Sequence, residues 1–282
     1  MTEAWEAYEQ HRALDALLDF AVEAVSRYYI QLVRERMWAE EESESKLAAY
    51  ATLSHTLEAV VALLAPYAPF ISEELYQRLT GEDGFDSVHM VDWPTPDEDL
   101  RDEALEAAIA NVRAVEEAGS HARQDAGRKL RWPVTRVVVD AEDESVVESL
   151  EAHRDLLAER LNAREVEVVP AGDEWAELEY TATADMSLLG PAFGDRAQAD
   201  MEALNEARIP EPDLDALQQA VNEALDEPAE LDEEMVSFDR VPPAAVAAAE
   251  FEGGVVYVDT ELTEDVESEG YAREVIRRVQ EM

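Results

Sequence analysis

Between Gly119 and Arg136 the chain reads GSHARQDAGRKLRWPVTR, setting Arg123, Arg128, Lys129, Arg131 and Arg136 against a single acid, Asp125. Guanidinium groups beside an indole suit phosphates and unstacked bases: the cations pair with phosphate oxygens and the ring offers a face for stacking. Pro133 biases Trp132 toward an extended backbone, so a rigid extended connector is expected here. A second reading needs no ligand: Trp132 is buried at a domain junction and the arginines bond to carbonyls or to Asp125. The sequence leaves both open. A second cation–aromatic group is SRYYIQLVRERMW, with Arg27, Arg34, Arg36 and Trp38 on neighbouring turns. Its alternative is a core of Tyr28, Tyr29, Leu32 and Val33, with the arginines paired to Glu23, Glu35 and Glu40. A third, EGYAREVIRRVQ, carries Arg273, Arg277 and Arg278. It either balances a helix dipole or forms another nucleic-acid-facing stripe.

Other chemistries find little support. With no cysteine, disulfides, thiolate zinc sites and thiol catalysis are excluded. No Gly-rich phosphate loop and no GxSxG turn occur. The five histidines (His11, His55, His89, His121 and His153) are scattered, and His153 is expected to face inward from an amphipathic helix. No catalytic or metal-binding set emerges. With 67 acidic residues, paired carboxylates carry no information by spacing.

The charge has its own logic. Only 22 basic residues oppose those acids, giving a net charge of -45, and only Lys46 and Lys129 are lysines. The acids alternate with regular apolar positions, unlike a disordered acidic tail. Such a surface fits a folded protein in molar salt, where a Debye length of about 3 Å screens self-repulsion. Net charge then does not forbid binding nucleic acid through a local patch. At 282 residues, two or three domains are expected. No membrane span is expected, for want of an apolar run of about 18 residues, and no leader or transit signature is seen. A cytoplasmic location follows.

The elements that must position these groups are mostly helical. Periodicity predicts one long helix over Trp5–Trp38, a second over Ser45–Leu64, a short one ended by Gly81, an extended SVHMVDWP and a third long helix over Asp99–Gln124 capped by Gly127. These make an antiparallel bundle spanning 1–127. The period then changes. TRVVVD, a single helix SVVESLEAHRDLLAERL with a Ser145/Glu148 capping box, EVEVVP and ELEYTATAD make a small α/β module, 128–190. SLLGPAFGDR is a junction. Two acidic helices, strands at MVSFDRV and GVVYVDTEL and a helix from Thr263 make a C-terminal α/β extension, 191–282. That helix runs to Met282 without a cap, so truncation is expected. The fold class is mainly α with α+β.

In this order and at these spacings, SRYYIQLVRERMW, LAPYAPFISEELYQRL, HARQDAGRKLRWPV, LGPAFG and VDTELTEDVESEGYAREVIRRVQEM resemble the region after the catalytic core of archaeal-type isoleucyl-tRNA synthetases, which are class I enzymes. The PYAPFISEELY segment is shared with the valine, leucine and methionine enzymes; RKLRWPV and the last block favour isoleucine over valine. The ATP-binding HIGH- and KMSKS-type signatures of the family are absent, as is an editing insertion. The resemblance therefore implies an anticodon-binding bundle with the modules after it and no catalytic power of its own. ATP and Mg belong to the full-length family and no cofactor to this chain. The implied partners are isoleucine tRNA, through its anticodon stem-loop, and the catalytic core of the same synthetase, without membrane or DNA. Carried over by motif, Arg34, Arg36, Trp38, Arg123, Arg128, Lys129, Arg131 and Trp132 are the residues expected to contact tRNA. The alternatives are a valine enzyme and a helical interaction protein without an RNA role.

Overall fold

The computed structural model describes residues 1–81, 84–184, 197–225 and 231–280. They form two compact units, Met1–Arg101 and Asp102–Met282. The junction expected at SLLGPAFGDR lies outside the described residues.

The first unit is helical. The long N-terminal helix expected from periodicity is divided. Tyr8, at a φ of 61°, separates α1 (Thr2–Glu6) from α2 (Gln10–Asp19), a left-handed conformation that no helix tolerates. A π-helical stretch, Phe20–Tyr29, then leads into α3 (Ile30–Trp38). Helix α4 (Glu44–Leu64) starts where the Ser43 side chain accepts a hydrogen bond from the Lys46 N–H, as an N-cap does. Pro69 opens α5 (Pro69–Thr80), where a missing N–H costs nothing. SVHMVDWP, expected to be extended, contains a 3₁₀ turn at Val88–Met90, because the Glu73 carboxylate accepts from Ser87 Oγ and Val88 N. Helix α4 also corrects the expectation about spans. It is long and apolar enough to cross a membrane, with a mean hydropathy of 1.5 over an 18-residue window. The helix packs on α5 in this unit, with only Ala49 and Val61 fully buried along it.

The second unit is built on a four-stranded sheet of order β2-β1-β6-β5: β1 (Val134–Ala141), β2 (Ala163–Val169), β5 (Val246–Phe251) and β6 (Gly254–Asp259). Strand β1 pairs parallel with β2 and antiparallel with β6. Its run of β-branched residues suits a strand buried on both faces. Val137 and Val139 join Val166, Val168, Val256 and Val258 on one face; Val138 meets Trp175 and Tyr257 on the other. Helices α6 (Glu103–Asp125), α7 (Glu144–Ala152) and α8 (Arg154–Leu161) cover the first face with Val112, Val115, Leu150, Leu157 and Leu161.

Three expectations change here. Helix α6, read as the last helix of the bundle, puts its apolar stripe on the sheet. Strand β6, read as part of a separate extension, and β5, not read as a strand at all, complete the sheet begun by β1 and β2. Helices α7 and α8 are two and not one, broken at His153, and Asp143 rather than Ser145 caps the first of them. His153 is half-buried, with Nδ1 at 2.8 Å from the Ser149 carbonyl.

A second layer joins β3 (Glu179–Ala184) and β4 (Val236–Val241) to α9 (Ala197–Glu206) and α10 (Leu214–Ala224) around Tyr180, Leu204, Leu217 and Val221. Arg240 of β4 ties it to the sheet, bonding Glu174 at 2.8 Å and standing 3.8 Å from Asp140 of β1. Asp140 is 8% exposed, and its Oδ2 accepts no hydrogen bond among the described residues. Burial pushes its carboxyl above the ordinary value of 3.8, against the pull of Arg240. A raised acid pKa means that folding favours the protonated form. The stability it confers is full below 3.8 and is lost as pH rises through the folded value. Asp140→Asn should therefore melt above the parent at pH 7, and the gap should close toward pH 4; thermal melts at fixed salt across that range measure it.

Candidate nucleic-acid interface

The positive island begins at the end of α6. Gly127, at a φ of 68°, takes the left-handed position that ends the helix, with its N–H on Gln124 O at 2.9 Å and the Arg128 N–H on Arg123 O at 2.8 Å. This is a Schellman closure, which glycine permits without strain. Beyond it the chain is not the extended connector expected from Pro133. The Trp132 N–H returns to Lys129 O at 3.1 Å, closing a turn.

Three side chains hold that turn by its carbonyls. Arg123, 2% exposed, donates to Leu161 O at 2.7 Å, to Lys129 O at 2.8 Å and to Trp132 O. Asn162, in left-handed conformation after α8, donates to Leu130 O at 3.3 Å. Arg273, on α11 (Glu264–Gln280), donates to Arg131 O at 3.2 Å and to Asn162 Oδ1 at 2.5 Å. Every carbonyl from Lys129 to Trp132 is thus claimed. Burial lowers the Arg123 pKa, but an arginine starts so high that it stays charged.

Trp132 is half-buried and lies against Gly270 of α11, where an added Cβ would come within 2.4 Å of the indole. Its ring meets Tyr271 edge to face, centroids 5.3 Å apart, and Lys129 Nζ stands 5.7 Å from its centroid. Arg131 pairs with Glu274 at 3.2 Å. Arg277, helped by Arg131 and Lys129, holds the Glu274 carboxyl below its ordinary range. Arg136 is bidentate on Glu177 at 2.7 and 2.8 Å and sits over Trp175. Arg128 and Lys129 have no carboxylate partner among the described residues.

In the first unit, Trp38 is 79% exposed at the end of α3, with the Arg34 guanidinium 5.8 Å from its ring centroid. Arg36 donates to Ser45 Oγ at 3.1 Å, and Arg27 pairs with Glu23 at 2.7 Å. Lys46 Nζ and Tyr50 Oη bond the carbonyls of Ala39 and Met37, so the backbone carrying the indole is tied down. The eight residues singled out in the sequence therefore form two groups, Arg34, Arg36 and Trp38 in one unit and the Arg123–Trp132 set in the other. Sequence reasoning missed Asn162, Gly270 and Tyr271, and it named Arg273 as a dipole-balancing or nucleic-acid-facing residue without placing it on the turn. The one signal was a glycine within the amphipathic pattern of α11, which marks a close approach.

Residues 1–139 match the family model described as the anticodon-binding domain of tRNA ligase. This region belongs to that family. Over its full length the chain is 64% identical to the isoleucine–tRNA ligase of Halobacterium salinarum and 60% identical to that of Haloarcula marismortui. It is 40% identical, over 99% of its residues, to the isoleucine–tRNA ligase of Methanosarcina barkeri. In each case it spans 27% of the relative's length. The resemblance to isoleucyl-tRNA synthetases holds, and the halophilic sources of the first two fit the acidic surface of this chain.

The geometry assigns unequal weight to the island's cations. Arg123→Ala strips donors from one buried carbonyl, Leu161 O, and two part-buried ones, Lys129 O and Trp132 O, at about 1–3 kcal/mol for a buried group left unpaired, and should lower the melting temperature by several degrees. Lys129→Ala, at an exposed position, should leave it within a degree or two. Calorimetry of both variants in high KCl checks the contrast.

Proposed function

We propose that the chain is the tRNA-docking portion of an isoleucine–tRNA ligase, holding the anticodon stem-loop of isoleucine tRNA in the cytoplasm. ATP-dependent aminoacylation takes place on a catalytic core outside this sequence, which is the chain's second partner. No step involving ATP or Mg is assigned to this chain.

The observation that carries the reading is Trp38, an indole 79% exposed with the Arg34 guanidinium 5.8 Å from its ring centroid, in the region that matches the anticodon-binding family. An exposed indole on a tied-down helix end has nothing to gain from water. Against a splayed loop base it offers a stacking face, and Arg34 adds a charge for the neighbouring phosphate. The second group supplies Arg128 and Lys129 as cations without carboxylate partners. Arg123 supports the turn and does not reach for RNA, and Arg131 is shared with Glu274. That similarity is to isoleucine enzymes over the whole chain favours isoleucine over valine.

Anisotropy titration of the isoleucine tRNA anticodon stem-loop in high KCl tests this. The chain should prefer it to stem-loops of other tRNAs, and Trp38→Ala should weaken binding roughly five- to 100-fold, the worth of one stacked base, with an unchanged melting temperature. Equal affinity for all stem-loops would overturn the reading.

A further inference from the structure

Beside the clamped turn lies a slot of about 270 Å³ within the second unit. Arg128, Lys129, Trp132, Thr260, Leu262 and Tyr271 line it. It is small for a drug-sized ligand and suits one flat ring system. The far side of the Trp132 indole is fixed on Gly270, and its edge contact is taken by Tyr271. The Lys129 ammonium stands off the ring at cation–π distance. Two donors here are unspent: Trp132 Nε1 and Arg128 Nε are buried and have no hydrogen-bond partner among the described residues. Buried donors without acceptors are costly, and native proteins keep few of them outside functional sites. Leu262 is 41% exposed and Tyr271 57% exposed, so the apolar wall is open to an incoming ring. One acid, Glu261, also borders the slot. It repels a phosphate but accepts from an exocyclic amine.

We propose that this slot takes one unstacked nucleotide of the bound RNA. The base replaces the Lys129 ammonium over the Trp132 ring. The displaced ammonium moves to the phosphate with Arg128, and Glu261 favours a base bearing an amino group. An exposed cation–π contact is weaker than a stacked base, so the exchange runs toward the complex. The proposal rests on the reading of the chain as an anticodon-binding region and adds a site to it. It also gives Tyr271 and Leu262 a role in RNA binding.

The test uses the full chain and the isoleucine tRNA anticodon stem-loop in high KCl, with each loop nucleotide in turn made abasic. One abasic position should weaken binding to the parent chain at least about fivefold. The same position should have no effect on Leu262→Trp, which fills the slot. Lys129→Trp, at an exposed position lining the slot, covers the ring and serves as a second blocked variant if Leu262→Trp lowers the melting temperature, and it should erase the same dependence. If the stem-loop binds but each abasic position costs the parent and the blocked variants alike, the slot proposal fails while the anticodon reading stands. If the parent does not bind the stem-loop at all, the anticodon reading fails and takes the slot with it.

Discussion

The guanidinium of Arg123 sits almost fully buried without a carboxylate and spends its charge on the carbonyls of Leu161, Lys129 and Trp132. A buried cation is tolerated where its donors are met, and here backbone carbonyls meet both terminal nitrogens, while Nε has no partner among the described residues. The arrangement fixes the turn from within: helix end, turn and strand start are held to one planar group with a rigid fork of donors. Asn162 and Arg273 finish the job on the two remaining carbonyls. With its backbone polar groups satisfied inward, the turn need not pair with the sheet or with water. The positions of Arg128, Lys129 and Trp132 follow from that clamp, and so does the slot they line.

The clamp also explains how a chain of net charge -45 keeps a positive spot. Most arginines of the second unit are consumed internally: Arg136 on Glu177, Arg160 on Glu116, Arg164 on Glu269, Arg240 on Glu174 and Arg273 on Glu269. Where acids outnumber bases threefold, a cation stays available only if no carboxylate can reach it. At molar salt the long-range field is screened within about 3 Å, so the surrounding acids neither attract nor repel RNA from afar. What counts is contact, and contact by stacking survives salt better than phosphate pairing does.

Much of this was legible. The apolar periodicity of α4, α5 and α6, the glycine after α6 and the β-branched run of β1 gave elements within a few residues of their observed bounds. The losses have local causes. Tyr8 carries no sequence mark of a left-handed residue, and His153 breaks a helix whose apolar pattern runs on across it. Strand β5, AVAAAEF in its neighbourhood, is alanine-rich and lacks the residues that favour strands; it forms because β6 pairs with it. The turn that precedes Trp132 is held by a clamp that draws on Leu161, Asn162 and Arg273, which lie far along the chain. The site was half legible for the same reason. Its cations and indole are neighbours in sequence, while Gly270, Tyr271 and Arg273 reach it only through the fold.

The two readings of the island, staple and RNA surface, draw on different atoms and need not compete. Arg123 and the contact of Trp132 with Gly270 act as a staple, within the second unit. In the proposed reading, Lys129 and the remaining part of the indole serve as surface. The division has an energetic consequence. A tryptophan held by one face and one edge has already lost its rotamer freedom on folding, so a base that stacks on its free face does not bear that entropy again. The staple is what makes the surface effective: a loosely held Trp132 would cover the same area and bind less well. A substitution at Gly270, which touches no RNA in this scheme, should on these grounds weaken binding through the indole it displaces.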